Sequence, residues 1–560
     1  MATTFTRRRF LQYGAAGGAA LFLPLPGVHA ANTVAGRLTK YVEPAPLPGS
    51  GIVVATPSGT NAFAFTQVEI ERQLHPFLPP TPIWAYDDGS GLAGQAGSFG
   101  MAVVARTGTP VQMSFTNLLP HTYPLWIPVD TRLTPLGREV RLMTHLHGGF
   151  VAEASDGNPT VTPNGFGTGE TQTVLYTNQS PQMPASLLWF HDHGLGATRL
   201  NVFAGLAAAY IVRDEFDTGT EPNPIGVPGG AYELPLVIQD RQFNPDGTFL
   251  YPTSDIAGAT WIGEYFGDTM LVNGKVWPFL EVEPRTYRLR ILNGCNARIL
   301  SLDLGGPAVS QIGAEGGLWD QPVPMKQLVL APAERADVLV DFGRFAGQTL
   351  VLKNHNPAKP VATPAPTLQQ VMQIRVGTTV SQPGPRMVPA SLPGRRADLP
   401  SPARRRFITL NEIDVDEPTW FLNLNGLHFD EPATETPKQG DVEDWQFVNL
   451  TADTHPMHMH LVTFQVVGRT PFDVQAYEEA AEGTATPPDP APFATGPMQP
   501  PDASERGFKD TVKANPGFFT TIRSRFDLPA GVTAPQRYVY HCHIVEHEDN
   551  DMMRPFTVTN

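Results

Sequence analysis

Ten of the fifteen histidines fall into four short groups whose spacing is suited to binding metal ions. On a β-strand, residues i and i+2 point to the same face, so a His-x-His pair directs two imidazoles toward one place. Four such pairs could therefore bring eight imidazoles to a single cluster. The pairs are His145/His147, His191/His193, His458/His460 and His541/His543.

A second group of possible ligands surrounds Cys542, which lies between two of these histidines. Strand geometry turns Cys542 away from both neighbours, and it turns His455 away from the later pair of its own group. His547 and Met552 follow Cys542 after turns. One thiolate, two imidazoles and a weakly bound methionine form the trigonal site of a blue copper protein.

Each of these features is weak when taken alone. A single His-x-His pair more often marks a half-exposed strand, and a free cysteine is usually a small buried apolar residue. A structural zinc site also takes His and Cys but needs only four ligands. Twelve possible ligands with consistent parity, drawn from both ends of the chain, are hard to explain by packing. The set therefore predicts copper, which binds well to imidazole and thiolate.

Three copies of one strand pattern provide elements that could position these ligands. Residues 111–117, 287–293 and 445–449 each alternate apolar and polar side chains and end at Asn. Such alternation predicts strands with one face on a core and the other toward water. Asn-Gly pairs at 273–274 and 425–426 predict tight hairpin turns before the second and third copies. The copies lie 176 and 156 residues apart, which is the spacing of domains.

The composition supports the same architecture. The 560 residues include 57 prolines and 52 glycines, which excludes a mainly helical protein because proline breaks helix interiors. A hydrophobic share of 41% and a charged share of 17% exclude wholesale disorder. Pro-, Gly- and charge-rich seams at 214–230 and 376–406 separate the strand copies. We expect three β-sandwich domains in series, with one large β fold as the alternative.

The net charge of −15 disfavours nucleic acid and anionic membrane as partners. Only two cysteines are present, so one disulfide is the maximum. If Cys542 binds copper, Cys295 stays a free buried thiol. A proline-rich stretch at 475–504 is far longer than a usual connection. It is either a lid near a site or a surface excursion.

The first thirty residues have the pattern of an export signal. Three arginines at 7–9 precede Phe10-Leu11 and an apolar run that extends to Pro26. Small residues allow cleavage after Ala30. The paired arginines resemble the twin-arginine signal of bacteria, which implies the twin-arginine machinery as a partner and a periplasmic or extracellular location. The alternative is an uncleaved anchor, but the run is too short to span a bilayer, so we expect no stable membrane anchor.

The four histidine motifs, taken as a set, resemble the copper motifs of multicopper oxidases. Residues 505–511 and 547–555 are particularly similar to the branch of bacterial spore-coat laccases and bilirubin oxidases. The resemblance implies an all-β chain of three consecutive cupredoxin-like, Greek-key β-sandwich domains. We assign 1–30 to the signal, 31–214 to the first domain, 231–378 to an architectural second domain and 405–560 to the third.

The resemblance also implies a role for each ligand and a total of four copper ions. The type 1 copper would be held by His455, Cys542 and His547, with Met552 as axial ligand. The type 2 copper would be held by His145 and His458. The type 3 pair would be held by the remaining six: His147, His191, His193, His460, His541 and His543.

The activity implied is one-electron oxidation of small organic donors, such as phenols, coupled to reduction of dioxygen to water. Asp156 and Glu548 match acids that the branch uses near the trinuclear cluster to deliver protons or hold water. Asp156 could instead be a turn former beside Gly157, and Glu548 could merely support a ligand. The alternative function is an exported copper-binding electron carrier or structural protein without oxidase activity. Copper content would separate the two.

Overall fold

Six β-sheets make up the core of the part of the chain that the structure describes. The computed structural model describes residues 34–55, 57–91, 101–254, 259–363, 368–382, 384, 389–392, 396–415, 419–484 and 486–560. The predicted export signal lies outside these ranges, as does part of the second seam. Within the described ranges, each sheet draws its strands from only one of three consecutive stretches of the chain, so the sheets form three pairs.

The first pair contains a six-stranded sheet in the order β1-β2-β5-β10-β9-β7 and a four-stranded sheet in the order β4-β3-β6-β8. Their facing sides pack Phe65 and Phe115 against Phe190. The strands are β1 Leu47–Pro48, β2 Gly51–Val54, β3 Ala62–Arg72, β4 Thr81–Asp87, β5 Met101–Arg106, β6 Val111–Asn117, β7 Thr144–His147, β8 Thr171–Tyr176, β9 Ser186–Asp192 and β10 Ala207–Arg213. Short helices α1 Glu153–Asp156 and α2 Thr198–Ala204 follow β7 and β9.

The second pair contains a seven-stranded sheet, β13-β12-β11-β15-β20-β17-β18, and a five-stranded sheet, β14-β22-β21-β16-β19. A 3₁₀ turn at Gly230–Tyr232 leads into it. The strands are β11 Glu233–Arg241, β12 Thr269–Val272, β13 Lys275–Val276, β14 Phe279–Val282, β15 Thr286–Asn293, β16 Leu300–Asp303, β17 Ala308–Ala314, β18 Gly317–Met325, β19 Leu328–Leu330, β20 Arg335–Asp341, β21 Thr349–Asn354 and β22 Gln370–Val376. The segment that begins with the 3₁₀ turn Ala35–Arg37 packs on this sandwich, where the Ala45 amide bonds the Phe279 carbonyl.

The third pair contains a six-stranded sheet, β24-β23-β25-β30-β27-β28, and a four-stranded sheet, β29-β26-β31-β32. The strands are β23 Arg404–Val415, β24 Thr419–Leu424, β25 Val442–Asn449, β26 His455–Met459, β27 Phe464–Pro471, β28 Phe508–Lys509, β29 Thr511–Ala514, β30 Phe518–Arg525, β31 Gln536–Cys542 and β32 Met553–Val558. Its helices are α3 Val474–Ala481 and α4 Val545–Glu548, with 3₁₀ turns at Ala491–Phe493 and Ala503–Glu505. One continuous apolar cluster runs through the first and third sandwiches, so the two behave as one packed unit.

The three predicted strand copies are strands β6, β15 and β25, as the alternation indicated. Only β6 has one buried and one solvent-facing side. For β15 and β25 the expectation of a face toward water is wrong, because every residue of both strands is buried. The polar side chains of β15 have buried partners instead of water. Arg288 donates two hydrogen bonds to Asp337, of 2.8 and 2.6 Å, and Arg290 donates one to Asp217 at 2.8 Å. Charged residues that form buried ion pairs therefore give the same alternating sequence pattern as charged residues that face solvent.

Both Asn-Gly predictions are confirmed. Asn273 and Gly274 have φ of +49° and +79°, and they join β12 to β13 so that Val272 pairs with Lys275. Asn425 and Gly426 have φ of +61° and +70° directly after β24. A two-residue turn of this hand matches the twist of the strands it joins.

The proline-rich stretch is an ordered excursion from the third sandwich. Tyr477 of α3 is fully buried, its ring packs against Phe472 and Phe493, and its hydroxyl bonds the Pro488 carbonyl at 2.9 Å. Helices are short throughout: the longest α-helix of the described residues has eight residues, and none of them has the length and apolar character to cross a bilayer.

Candidate metal centre

Strand pairing brings the predicted histidine pairs opposite each other. In the first sandwich the register of β7 and β9 sets His145 opposite His191. In the third sandwich the register of β26 and β31 sets His458 opposite His541. The two sheets meet at their histidine-bearing strands. There, imidazoles of one sandwich stack on imidazoles of the other, with ring centroids 3.8 Å apart for His145/His460 and 3.6 Å apart for His147/His458.

All eight imidazoles therefore lie in one buried space, as the parity argument predicted. Their nitrogen atoms form overlapping groups in which the possible ligand atoms lie within 4.8 Å of one another. These groups are His145 with His147 and His458; His147 with His191 and His543; and His193 with His460 and His541.

Hydrogen bonds fix which nitrogen is free in most of these rings. Nδ1 of His145, His191, His458 and His541 donates to a backbone carbonyl, over 2.5, 2.9, 2.8 and 3.0 Å respectively. A carbonyl oxygen can only accept, so Nδ1 carries the proton and the Nε2 lone pair faces the shared space. His147 is reversed: Nε2 donates to the Asp510 carboxylate, leaving Nδ1 free.

This geometry fits metal ions and fits little else. Seven imidazole nitrogens of the cluster are buried with no hydrogen-bond partner among the described residues: Nε2 of His145, His191 and His458, Nδ1 of His147 and His193, and both nitrogens of His543. Nε2 of His193 and of His460 each lie 3.3 Å from Nε2 of His541. Burial lowers the pKa of His191 to about 3 and of His193 to about 4, so these rings are neutral at physiological pH. Facing, unprotonated lone pairs need a cation between them.

The second predicted group is also assembled. Sγ of Cys542 lies 3.6 Å from Nδ1 of His455 and 3.8 Å from Nδ1 of His547, and the two nitrogens are 3.3 Å apart. Met552 is fully buried beside them, and its backbone bonds both Cys542 and His547. Burial raises the pKa of the Cys542 thiol well above its usual value, so a thiolate here needs a bound metal to stabilise it.

The two predicted acids both touch the eight-histidine space. Oδ2 of Asp156 accepts from Nδ1 of His460 at 2.7 Å, and burial raises the pKa of this carboxyl to about 8. Asp156 also ends α1 beside Gly157, so its role as a turn former is real as well. Glu548 accepts from the Thr198 hydroxyl at 2.7 Å, and its other oxygen lies 3.2 Å from Nδ1 of His541.

Residues that the sequence analysis did not single out complete the surroundings. Asp510 contacts two of the histidines, and its signal was the Lys-Asp-Thr triplet inside the motif at 505–511. On the far side, Glu412 lies 3.5 Å from Nε2 of His455, with Asp453 and Glu264 near enough to interact electrostatically. Nothing in their spacing marks these three acids, because they come from separate loops and strands.

Comparison with known proteins shows that the chain is similar to multicopper oxidases and laccases. A family model described as multicopper oxidase matches residues 401–560. The laccase of Bacillus subtilis (strain 168) is 36% identical over 545 residues, covering 93% of this chain and 99% of that protein. The laccase of Haloferax volcanii is 35% identical over 593 residues, covering all of this chain and 92% of that protein. The crystal structure of the McoA multicopper oxidase from Aquifex aeolicus superposes with a TM-score of 0.72 at 25% identity, covering 93% of this chain and all of that one.

Gly148, directly after His147, provides a test of how tightly this site is built. Its φ is +86°, and an added Cβ would lie 2.7 Å from Oδ2 of Asp510 and 3.0 Å from Nη2 of Arg335. Gly169 has nearly the same φ, +88°, with nothing within 4 Å, so it is a matched control. We expect Gly169→Ala to cost about 1–2 kcal/mol through backbone strain alone. Gly148→Ala should cost more and also lower metal content, measured by thermal unfolding and elemental analysis. Equal effects of the two variants would contradict the close approach.

Proposed function

Because the chain belongs to the multicopper oxidase family, as a copper-dependent oxidoreductase that uses dioxygen, we propose that its two clusters hold four copper ions. In this proposal His455, Cys542 and His547, with axial Met552, bind the type 1 copper. His145 and His458 bind the type 2 copper. One type 3 ion is bound by His147, His191 and His543. The other is bound by His193, His460 and His541.

The observation that carries the proposal is the position of Cys542, the last residue of β31, directly between His541 and His543. The thiol points into one cluster, while both neighbouring imidazoles point into the other. Bound copper would supply one-electron chemistry, accepting electrons singly from a donor and passing four to dioxygen. The chain contributes a covalent path of a few bonds between the clusters, and the amide of Ile544 donates to Sγ over 3.4 Å.

Asp156 and Glu548 are proposed to hold and move protons at the larger cluster. Oδ2 of Asp156 accepts from His460, while its Oδ1 is buried without a hydrogen-bond partner among the described residues. Glu548 lies between His193 and His541, at 3.5 and 3.2 Å from their Nδ1 atoms. Each acid can thus exchange a proton with water or dioxygen products in the same buried space.

The remaining assignments follow from the sequence. We propose that residues 1–30 are a cleaved twin-arginine signal, which would give a periplasmic or extracellular enzyme without a stable membrane anchor. We propose cupredoxin domains at 31–214, 231–378 and 405–560, supported by the grouping of strands into three pairs of sheets. The partners are a small-molecule donor and dioxygen, and nucleic acid is not expected at a net charge of −15.

A specific arrangement favours cationic donors as a second candidate function. Glu412, Asp453 and Glu264 are all partly exposed near His455, one of the two imidazoles of the proposed type 1 site. Burial and the charge of Asp453 raise the pKa of Glu412 to about 8, and burial raises that of Asp453 to about 6. A cation bound among the three carboxylates would relieve this crowding. The proposed donors therefore include organic amines and metal cations as well as phenols.

Copper stoichiometry tests the proposed function. The reconstituted protein should bind about four copper ions, absorb near 600 nm and consume oxygen with a phenolic donor. Cys542→Ser should lose the blue band, one ion and donor-driven oxygen consumption, because the thiolate and the electron path are removed together. Cys295→Ser replaces the other buried free thiol and should keep all three properties. One or two ions without oxygen consumption would support the electron-carrier alternative.

Neutral isosteres test the two acids. We expect Asp156→Asn and Glu548→Gln each to slow oxygen reduction by about a hundredfold or more, the usual contribution of a positioned proton donor. The blue absorption should be unchanged, because neither side chain touches the Cys542 cluster. Glu153→Gln, on the same short helix as Asp156, serves as the control. Unchanged turnover of both variants would refute the proton role.

Donor charge tests the second candidate. Above about pH 8, where the Glu412 carboxyl is ionised, Glu412→Gln should lower kcat/KM for a cationic donor by about two- to fivefold, the effect of losing a partly exposed charge pair of about 0.5–1 kcal/mol. An anionic donor of similar potential should be unaffected or oxidised faster. Glu281→Gln, an exposed acid on β14, should change neither. Equal responses of the two donors would contradict this candidate.

A further inference from the structure

The side chain of Arg335 connects all three sandwiches at one point. It lies on β20 of the middle sandwich and is almost fully buried. Its Nη1 and Nη2 bond the two carboxylate oxygens of Asp510, from the third sandwich, at 2.9 and 2.6 Å. Its Nε donates to the Leu187 carbonyl of the first sandwich at 3.1 Å. Nη1 also donates to the Ala333 carbonyl at 3.0 Å, so every nitrogen of the guanidinium is used.

Asp510 carries this contact directly to the eight-histidine cluster. Its Oδ1 accepts from Nε2 of His147 at 3.1 Å and from the Thr511 hydroxyl at 2.9 Å. Its backbone carbonyl accepts from Nδ1 of His458 at 2.8 Å. One residue thus sets the free nitrogen of two ligands from different sandwiches.

The geometry points to Arg335 as a positioning residue of the trinuclear copper site, acting through Asp510. A buried carboxylate beside a cation-binding site could rotate to bind the metal or take up a proton. A bidentate guanidinium fixes both the plane and the charge of that carboxylate. Oδ1 is then held where it accepts the His147 proton, which leaves Nδ1 of that ring free for copper. The middle sandwich, expected to be architectural, would in this way contribute a charge to the metal centre. This inference rests on the proposed function.

The surroundings hold the guanidinium in place. The backbone amide of Arg335 donates to Glu315, whose other oxygen bonds Nζ of Lys509 at 2.7 Å. Glu334 bonds Nζ of Lys513 at 3.0 Å. All four of these charged side chains are buried between the middle and third sandwiches, and each has an opposite charge at contact distance. A displacement of the middle sandwich would break several buried pairs at once, which is costly.

The test compares Arg335→Lys with Arg288→Lys in the full-length, copper-loaded protein. Both native arginines lie on adjacent strands of the same sheet, are buried and make bidentate pairs with an aspartate. Only Arg335 reaches the cluster. Lysine keeps the positive charge but lacks the two parallel N–H groups that make the bidentate contact. We expect Arg335→Lys to weaken binding of the copper ions held by His147 and His458, the two ligands that Asp510 orients, by about 10–100-fold in chelator competition. It should also change the cupric EPR hyperfine splitting of the type 2 ion, whose proposed ligand is His458. The blue band should stay unchanged, and Arg288→Lys should leave both type 2 properties as in the unaltered protein.

Each alternative outcome has a defined meaning. The inference is overturned if the type 2 copper affinity and the EPR parameters of Arg335→Lys stay within twofold of those of the unaltered protein. It is also overturned if Arg288→Lys loses as much type 2 affinity as Arg335→Lys. If Arg335→Lys does not fold, the pair Arg335→Met with Asp510→Asn removes both charges together. That double variant should fold yet keep the type 2 defect, and a normal type 2 signal in it would also overturn the inference. An unaltered protein that binds no type 2 copper instead refutes the proposed function itself.

Discussion

The structure depends on one electrostatic constraint: eight buried imidazoles converge on a single space, and most of them present an unpaired ring nitrogen to it. Such a space is unfavourable without cations, and it is kept in shape by acceptors placed behind the rings. The backbone carbonyls of Asp156, Asp192, Asp510 and Cys542 each accept a hydrogen bond from one ring nitrogen, which leaves the other nitrogen free. The geometry of the proposed metal sites therefore depends on the acceptors behind the rings as well as on the histidines themselves.

This constraint also explains how the sandwiches are joined. The proposed ligands come from the first and third sandwiches, which share one apolar core and cannot separate without exposing it. The middle sandwich meets them through buried charges instead, at Arg335 and at the two lysines beside it. Apolar packing brings the two ligand-bearing sheets together, and directional ion pairs set their final alignment, because charged pairs are sensitive to small displacements.

Much of this could be predicted from the sequence because it follows from local rules. Strand parity correctly separated Cys542 from His541 and His543, and Asn-Gly pairs located two turns. Parity also failed in an instructive way: Arg288 and Arg290 have the pattern of a solvated face but lie in the interior, because their partners Asp217 and Asp337 come from distant parts of the chain. Asp510 and Glu412 escaped notice for the same reason, since their significance arises from contacts between segments that no periodicity records.

The register of β26 against β31, in which Met457 faces Cys542 and His458 faces His541, has a consequence for how the gene can vary. Loss or gain of one codon within β31 would move each following side chain to the opposite face of the strand. The thiol and the imidazoles would then point into the wrong clusters, and both clusters would be lost. The proline-rich excursion at 475–504 leaves the third sandwich between β27 and β28, outside that pairing, and packs on the same sandwich, where Tyr477 lies in one apolar cluster with Val448 and Phe519. We therefore expect insertions and deletions among relatives to occur mainly in the excursion. The residue spacing within each strand that carries proposed metal ligands should be unchanged.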